Sequence, residues 1–375
     1  MSKTSKSPNK VAYTAYKIAK KTLPDYRHRF SPQKYTQAQL FTCLILKIFF
    51  KTDYRGITEI LRDNPTLCKT FNLSTVPHFT TLQKVSHRLL KNRIVDKLLK
   101  STVKTMRTNK KIKLAAVDST GLEARHISKY FVRRKRVKHL EIYENALYRR
   151  WPKLVVVCDC SNHMVLSVLT VRGPGVDVNQ FETVLTPAAQ KYAIDYILAD
   201  AGYDSESNHR FARDHLHIKS IIPPKHGRPT LYPKPFKGKY REQMRTEFDK
   251  KIYGQRWQVE TVISMIKRNQ GECLSSKTYW SQNREMMLRV LTHNIGIILF
   301  VKELFYRACQ DPFFSFFPPY EFILFLFIMK PVFLKIIHST FSIEINLCSL
   351  LSMSQTQKRF LHAGSNFKPS PVVSK

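Results

Sequence analysis

Acidic residues are scarce in this chain: 27 Asp and Glu stand against 63 Lys and Arg, a net charge of +36 across 375 residues. Self-repulsion of that size works against a compact state unless a polyanion offsets it. Nucleic acid is the first candidate partner, because neutralising phosphates releases counterions and gives affinity independent of sequence. A membrane surface would favour one basic amphipathic helix. Here the charge is spread along the chain, so no membrane partner is expected. Paired cysteines are missing too. Cys43, Cys68, Cys158, Cys160, Cys273, Cys309 and Cys348 form no C-x-x-C pair, which excludes a disulfide framework. Cys158 and Cys160 flank Asp159 in an apolar run and read as reduced core thiols on one strand face, not a zinc site. The amino terminus MSKTSKSPNK has no apolar h-region, so no secretory signal is expected. The longest apolar run of the carboxy-terminal stretch, Phe322–Met329, is too short to span a bilayer as a helix. A cytoplasmic, nucleoid-associated location is expected in a prokaryote, and a nuclear one in a eukaryotic host. Disorder is excluded as well, because 43% hydrophobic and 24% charged residues is ordinary globular composition.

What is present falls into four stretches. Residues 1–35 are basic and weakly patterned and read as a flexible or partly helical arm. Residues 36–105 carry helical periodicity: Leu40, Phe41, Leu44, Ile45 and Ile48 form one stripe. A second segment, RGITEILRD, ends near Asn64-Pro65, and a third, LQKVSHRLL, follows a cap expected at Thr80 or Thr81. Short helices, a Pro-containing turn and a basic last helix fit a small helix-turn-helix-like DNA-binding domain. Residues 110–308 change texture. LAAVDSTGL, LVVVCDC and MVLSVLTVR read as strands, the last two joined as a hairpin through SNH. GPGVDVNQFETVLTPAAQ gives a turn, an N-cap expected at Asp177, and a helix. YILAD and IKSIIPP are further strands. Long helices are expected from about Arg241 to Asn269 and from about Gln282 to Ala308. The order predicts an α/β domain with a mixed sheet flanked by helices. Residues 311–375 are Phe-rich, and no role is assigned to them.

Asp118 is expected at the end of the first strand and Asp200 at the end of the fourth, where ligand sites gather in sheets covered by helices. An Asp after an apolar run is often only a turn former. A third carboxylate strengthens the pair. In YGQRWQVETVISMIK, Tyr253, Arg256, Glu260 and Lys267 project at roughly 0°, 300°, 340° and 320° on a helical wheel. They share a stripe beside the apolar face of Ile252, Val259, Val262, Ile263 and Ile266. A solvated face with Arg–Glu and Glu–Lys pairs accounts for the charges but not for the tyrosine.

The pattern Y-x2-R-x3-E-x6-K resembles the signature of DDE transposases of bacterial and archaeal insertion sequences, in the branch named for that Tyr-Arg-Glu-Lys motif. AVDSTGLE around Asp118, ILADAGYDSE around Asp200 and the run RRWPKLVVVCD are similar as well, so the resemblance covers about residues 110–300. It implies an RNase H-like fold and an enzyme that cleaves DNA at the element's ends and joins the 3′-hydroxyl to target DNA. About sixty residues separate Asp200 from Glu260, which leaves no room for the large β-rich insertion of some members.

Three carboxylates suit two Mg²⁺ ions, with Mn²⁺ as a substitute. Asp118 is the expected bridging ligand, with Asp200 and Glu260 completing one site each. The resemblance implies that Tyr253, Arg256 and Lys267 hold the phosphate backbone. Asp204 and Glu206 read as turn and helix-start residues. Arg133, Arg134, Lys135 and Arg136 lie in a stretch with seven Lys/Arg and no acid between Arg125 and Lys138. They are expected to grip phosphates, and they also read as a nuclear localisation run. The expected partner is double-stranded DNA, both terminal inverted repeats and target, bound by a homodimer. Two rivals stand beside this reading: a metal-dependent nuclease that cuts without joining, and a catalytically silent DNA-binding derivative.

Overall fold

The computed structural model describes residues 6–106, 111–124, 152–173, 175–225 and 238–310. The Arg133–Arg136 run and the Phe-rich stretch 311–375 lie outside the described residues. The chain divides into the units Met1–Phe305 and Tyr306–Lys375, and the description below is of the first.

Six helices open it: α1 (Pro8–Thr22), α2 (Gln37–Phe49), α3 (Tyr54–Asp63), α4 (Pro65–Thr70), α5 (Phe79–Leu89) and α6 (Asn92–Met106). The first of them is a packed helix where the sequence reads as an arm. Ser7 caps it by accepting from the Lys10 N–H, and Pro8 occupies the first turn. Val11, Ala12, Ala15, Ile18 and Ala19 bury one face against α2 and α6. Three of those five are alanines, which pack closely without a strong hydrophobic signal. Helix α2 starts from a reciprocal cap in which Thr36 accepts from Gln39 N–H and Gln39 accepts from Thr36 N–H. It is buried almost throughout. Helix α5 begins two to three residues earlier than expected. His78 is its cap, its ring nitrogen accepting from Thr80 N–H, so neither Thr80 nor Thr81 does that work.

The sheet is built from β1 (Lys111–Gly121), β3 (Lys153–Asp159), β4 (Val165–Val171), β5 (Ala193–Ala199) and β6 (Lys219–Ile221), with a two-residue β2 (Glu123–Ala124) beyond β1. Its order is β4-β3-β1-β5-β6. The β3–β4 hairpin is antiparallel and β3 runs antiparallel to β1, whereas β5 and β6 continue parallel to β1. Three antiparallel strands followed by two parallel ones is the RNase H-like arrangement. Helix α7 (Phe181–Ala189) packs on β3 and β4. A short helix α8 (Glu206–Arg210) runs on into a π turn, Phe211–His215.

The single helix expected over 241–269 is broken. It becomes α9 (Lys239–Thr246), α10 (Lys250–Tyr253), a 3-10 turn (Gly254–Arg256) and α11 (Trp257–Gln270). Asp249 restarts the chain as an N-cap, accepting from Ile252 N–H. Helix α11 lies against β1 and β3, and buried Gln258 ties it to His163 of the β3–β4 turn. A parallel pair joins β7 (Cys273–Leu274) to β2. The last helix, α12 (Tyr279–Gln310), reaches the sheet edge through Asn294, which bonds both the N–H and the C=O of Val165 and the Thr102 hydroxyl of α6. A strand edge is thereby closed by a side-chain amide. The opening helices and the sheet share one continuous core.

Candidate active site

The parallel ladder between β1 and β5 runs to Val117 opposite Ala199. One step further, Asp118 and Asp200 stand side by side on neighbouring strands, roughly 5 Å apart at the backbone by sheet spacing. Equal register also turns their side chains to the same face. β1 does not end there, as the sequence suggests. It continues to Gly121 against β3, with Asp118 opposite Val156. The chain leaves the sheet at Asp200 itself. Asp118 is therefore held from one side by a strand, while Asp200 projects from a strand end and is exposed.

Glu260 reaches this place from α11, where it sits in the first turn, a position that favours a carboxylate because the leading N–H groups lack helical acceptors. Arg256 joins the elements. Its guanidinium lies 3.7 Å from Asp118 and is ion-paired with Glu260. Its centre is 6.0 Å from the Tyr253 ring. Tyr253, Arg256 and Glu260 thus gather at the two aspartates, although the backbone between them is a 3-10 turn and not a uniform helix. Lys267 does not join them. It lies roughly 10 Å farther along the helix axis than Glu260, and no contact links it to the carboxylates among the described residues.

Burial pushes Asp118 up to about 6. The Ser119 N–H, donating at 2.7 Å, and Arg256 pull the other way, and Asp200 and Glu260 push with burial. Burial opposes the Arg256 charge, but Tyr253, Glu260 and Asp118 outweigh it and hold the guanidinium more firmly protonated than usual. Burial also raises Tyr253, which Arg256 lowers and Asp200 and Glu260 raise further. These five side chains feel one another. As they are placed, no three His, Cys, Asp or Glu side chains among the described residues enclose an ion-sized space. Arg256 stands between two of the carboxylates instead. The donor set nevertheless fits a hard divalent cation, because every donor is a carboxylate oxygen.

Three carboxylates have work that the sequence did not reveal. Asp177, expected as an N-cap, makes no side-chain cap. It accepts the Ser119 hydroxyl at 2.6 Å and pairs with Lys153 at 2.6 Å. Asp177 thereby ties β1 to β3, and a β-carbon placed on Gly202 would lie 3.7 Å from Asp177 and 3.9 Å from Asp200. Asp204, expected as a turn residue, is fully buried and receives Arg241 through two nitrogens and the Lys225 N–H. Glu206 accepts the N–H groups of Tyr240 and Arg241 at the start of α9. No local pattern announces these roles, because the partners lie 21 to 58 residues away along the chain.

Residues 109–295, a span containing Asp118, Asp200 and Glu260, match a family model described as the transposase DDE domain. No curated protein matches the chain. Among solved structures, the cryo-EM structure of a piggyBac transposase synaptic complex with hairpin DNA is similar at 12% identity and a TM-score of 0.42, over 80% of this chain and 72% of that one.

Proposed function

Residues 109–295 belong to the transposase DDE domain family, and on that premise we propose that the protein is a DNA transposase that cleaves the ends of its element and joins the freed 3′-hydroxyl to target DNA. The observation that carries this reading is the in-register pair Asp118 and Asp200 at the end of a parallel ladder, linked through Arg256 to Glu260. Asp118, Asp200 and Glu260 are the residues that would hold the metal ions. Two Mg²⁺ ions, or Mn²⁺ in their place, would supply the Lewis acidity that activates the attacking hydroxyl and stabilises the leaving oxygen.

The chain's own groups do the remaining work. Arg256 neutralises the carboxylates in the resting protein and turns its guanidinium fork to the scissile phosphate when their charge is met by cations. Tyr253 orients that guanidinium from its ring face. Lys267 and the Arg133–Arg136 run grip the DNA backbone away from the reacting phosphate. The helical region 36–105 reads the terminal repeats, and a homodimer holds two ends together. The Tyr253-Arg256-Glu260-Lys267 pattern supports assigning the protein to the insertion-sequence branch named for it.

The test is incubation with duplex carrying the element's own flanking repeats, a target plasmid and Mg²⁺. Cleavage at the repeat boundary with joined product is expected. Cleavage with no joined product would establish the nuclease instead, and binding without cleavage the silent derivative.

A further inference from the structure

We propose that α1 and the loop after it form a second DNA-binding face, separate from the catalytic carboxylates and from the helix-turn-helix-like region. The proposal rests on the transposase reading for its partner class. On the wheel of α1, Lys10, Tyr13, Lys17, Lys20 and Lys21 project within roughly 100°, and all five are exposed. The buried residues Val11, Ala12, Thr14, Ala15, Ile18 and Ala19 take the opposite arc. The helix contains no acid, and from Lys6 to Lys34 eight Lys/Arg meet one Asp. None of these cations has a carboxylate partner among the described residues. Like charges three and four residues apart repel along a helix, so this stripe gains from a polyanion and from nothing among the described residues.

The loop is ordered, not a tail. Gln37 N–H donates to the Asp25 carbonyl at 2.8 Å, and its side chain to the Pro24 carbonyl at 3.0 Å. The Tyr26 hydroxyl reaches the Gln33 carbonyl at 3.3 Å. On that frame Phe30 is 76% exposed, with the Arg29 guanidinium 4.8 Å over its ring and the His28 ring at 5.2 Å. An exposed aromatic beside a guanidinium and an imidazole suits the sugar and base surface of a nucleic acid, as a stacking platform beside phosphate contacts. A membrane is the other polyanionic surface. An amphipathic helix binds it by inserting its apolar face, and the apolar face of α1 is already spent on α2 and α6.

The experiment compares full-length protein with Lys10→Gln/Lys17→Gln/Lys20→Gln/Lys21→Gln. Binding to a fluorescent mixed-sequence duplex with a single-stranded overhang is read by anisotropy in EDTA between 50 and 300 mM salt, about the range over which phosphate contacts are lost. Each phosphate contact adds about 0.9 to the slope of log K against log salt, so the variant's slope should be shallower by about 3.6 if all four lysines contact phosphates. Gln keeps helix propensity close to Lys, so an unchanged melting temperature is expected. Phe30→Ala should weaken binding about tenfold, as loss of a stacked base does, with the slope unchanged. A quadruple variant that is folded and keeps the wild-type slope overturns the proposal. So does a variant that keeps its duplex binding but loses binding to phosphatidylserine vesicles. If the wild-type protein itself binds no duplex, the transposase reading fails first, and that outcome is distinct from loss of this face alone.

Discussion

Asp200 and Asp204 stand four residues apart in one run, Asp-Ala-Gly-Tyr-Asp, and meet opposite treatment. Asp204 has no exposed side-chain surface, takes a two-pronged guanidinium from Arg241 and an amide from Lys225, and has His209 at 3.8 Å. Burial keeps that histidine neutral, its pKa lowered to about 4. Asp200 is exposed and makes no side-chain hydrogen bond or ion pair among the described residues. Its neighbours are other carboxylates. A carboxylate that the fold satisfies completely is structural, because adding a cation would displace partners already in place. One that the fold leaves short of positive charge, among like charges, is poised to accept a cation from solution. The same contrast separates Asp177, braced by Lys153 and Ser119, from Asp118, pushed up to about 6.

The largest expected effect sharpens that contrast. Asp118→Asn and Asp200→Asn should each lower DNA cleavage by about 1,000-fold or more, as expected when a metal-dependent step loses a ligand. Duplex binding should stay within about twofold, since affinity comes from many Lys and Arg contacts. A gel assay with matched binding measurements decides it. Either variant cleaving at the wild-type rate would show that the exposed aspartate is not the functional one.

Asp204→Asn tests the other half. Leaving Arg241 and a buried polar cluster without the carboxylate should destabilise the fold by about 3 kcal/mol, read by urea unfolding. Cleavage per folded molecule should fall far less than in Asp118→Asn. A variant of wild-type stability that has lost cleavage would reverse the assignment of the two residues.

How far this contrast was legible in the sequence depends on how far away the partners lie. Strand runs such as LAAVDSTGL and LVVVCDC are read from local composition, and the ladder register then brings Asp118 beside Asp200. Tyr253, Arg256 and Glu260 were found by spacing, which survives the 3-10 turn because they are close in sequence. The break at Asp249 was missed although an Asp before a helical turn is a cap signal, since the surrounding apolar pattern continues through it. The role of Asp204 was not readable at all. Its partner Arg241 lies across a turn, a strand and a proline-rich stretch, and nothing in D-x-G-Y-D distinguishes its first aspartate from its last. Lys267 shows how far spacing reaches: it shares the stripe but sits two turns from the three carboxylates.

A smaller effect concerns the cation. If Asp118, Asp200 and Glu260 bind Mg²⁺ with a dissociation constant of about 1 mM, then 10 mM Mg²⁺ should stabilise the protein by about 1.4 kcal/mol. Thermal unfolding with and without Mg²⁺ measures this, and Asp118→Asn should lose the gain while Asp204→Asn, melting lower throughout, keeps it. Equal shifts in wild type and Asp118→Asn would place the ion elsewhere.

The smallest effect is in pH, and its sign is diagnostic. The folded Asp118 carboxyl titrates near 6 against an ordinary 3.8, so between those values the native state binds more protons than the unfolded state. Stability from this group therefore falls as pH rises from about 4 through 6, opposite to a salt-bridged aspartate. The full shift corresponds to about 3 kcal/mol, and solvent around a partly exposed carboxylate reduces the usable part to about 1 kcal/mol. In EDTA, Asp118→Asn should match wild type near pH 4 and be about 1 kcal/mol more stable at pH 7.5. The buried histidines His209 and His293, both lowered to about 4 by burial, destabilise wild type and variant alike in acid and cancel in the difference. Adding Mg²⁺ at pH 7.5 should then invert the order, because only the wild type retains the full ligand set. A variant less stable than wild type in EDTA at pH 7.5 would mean that Arg256 already satisfies Asp118. The contrast with Asp204 would then collapse into a difference of degree.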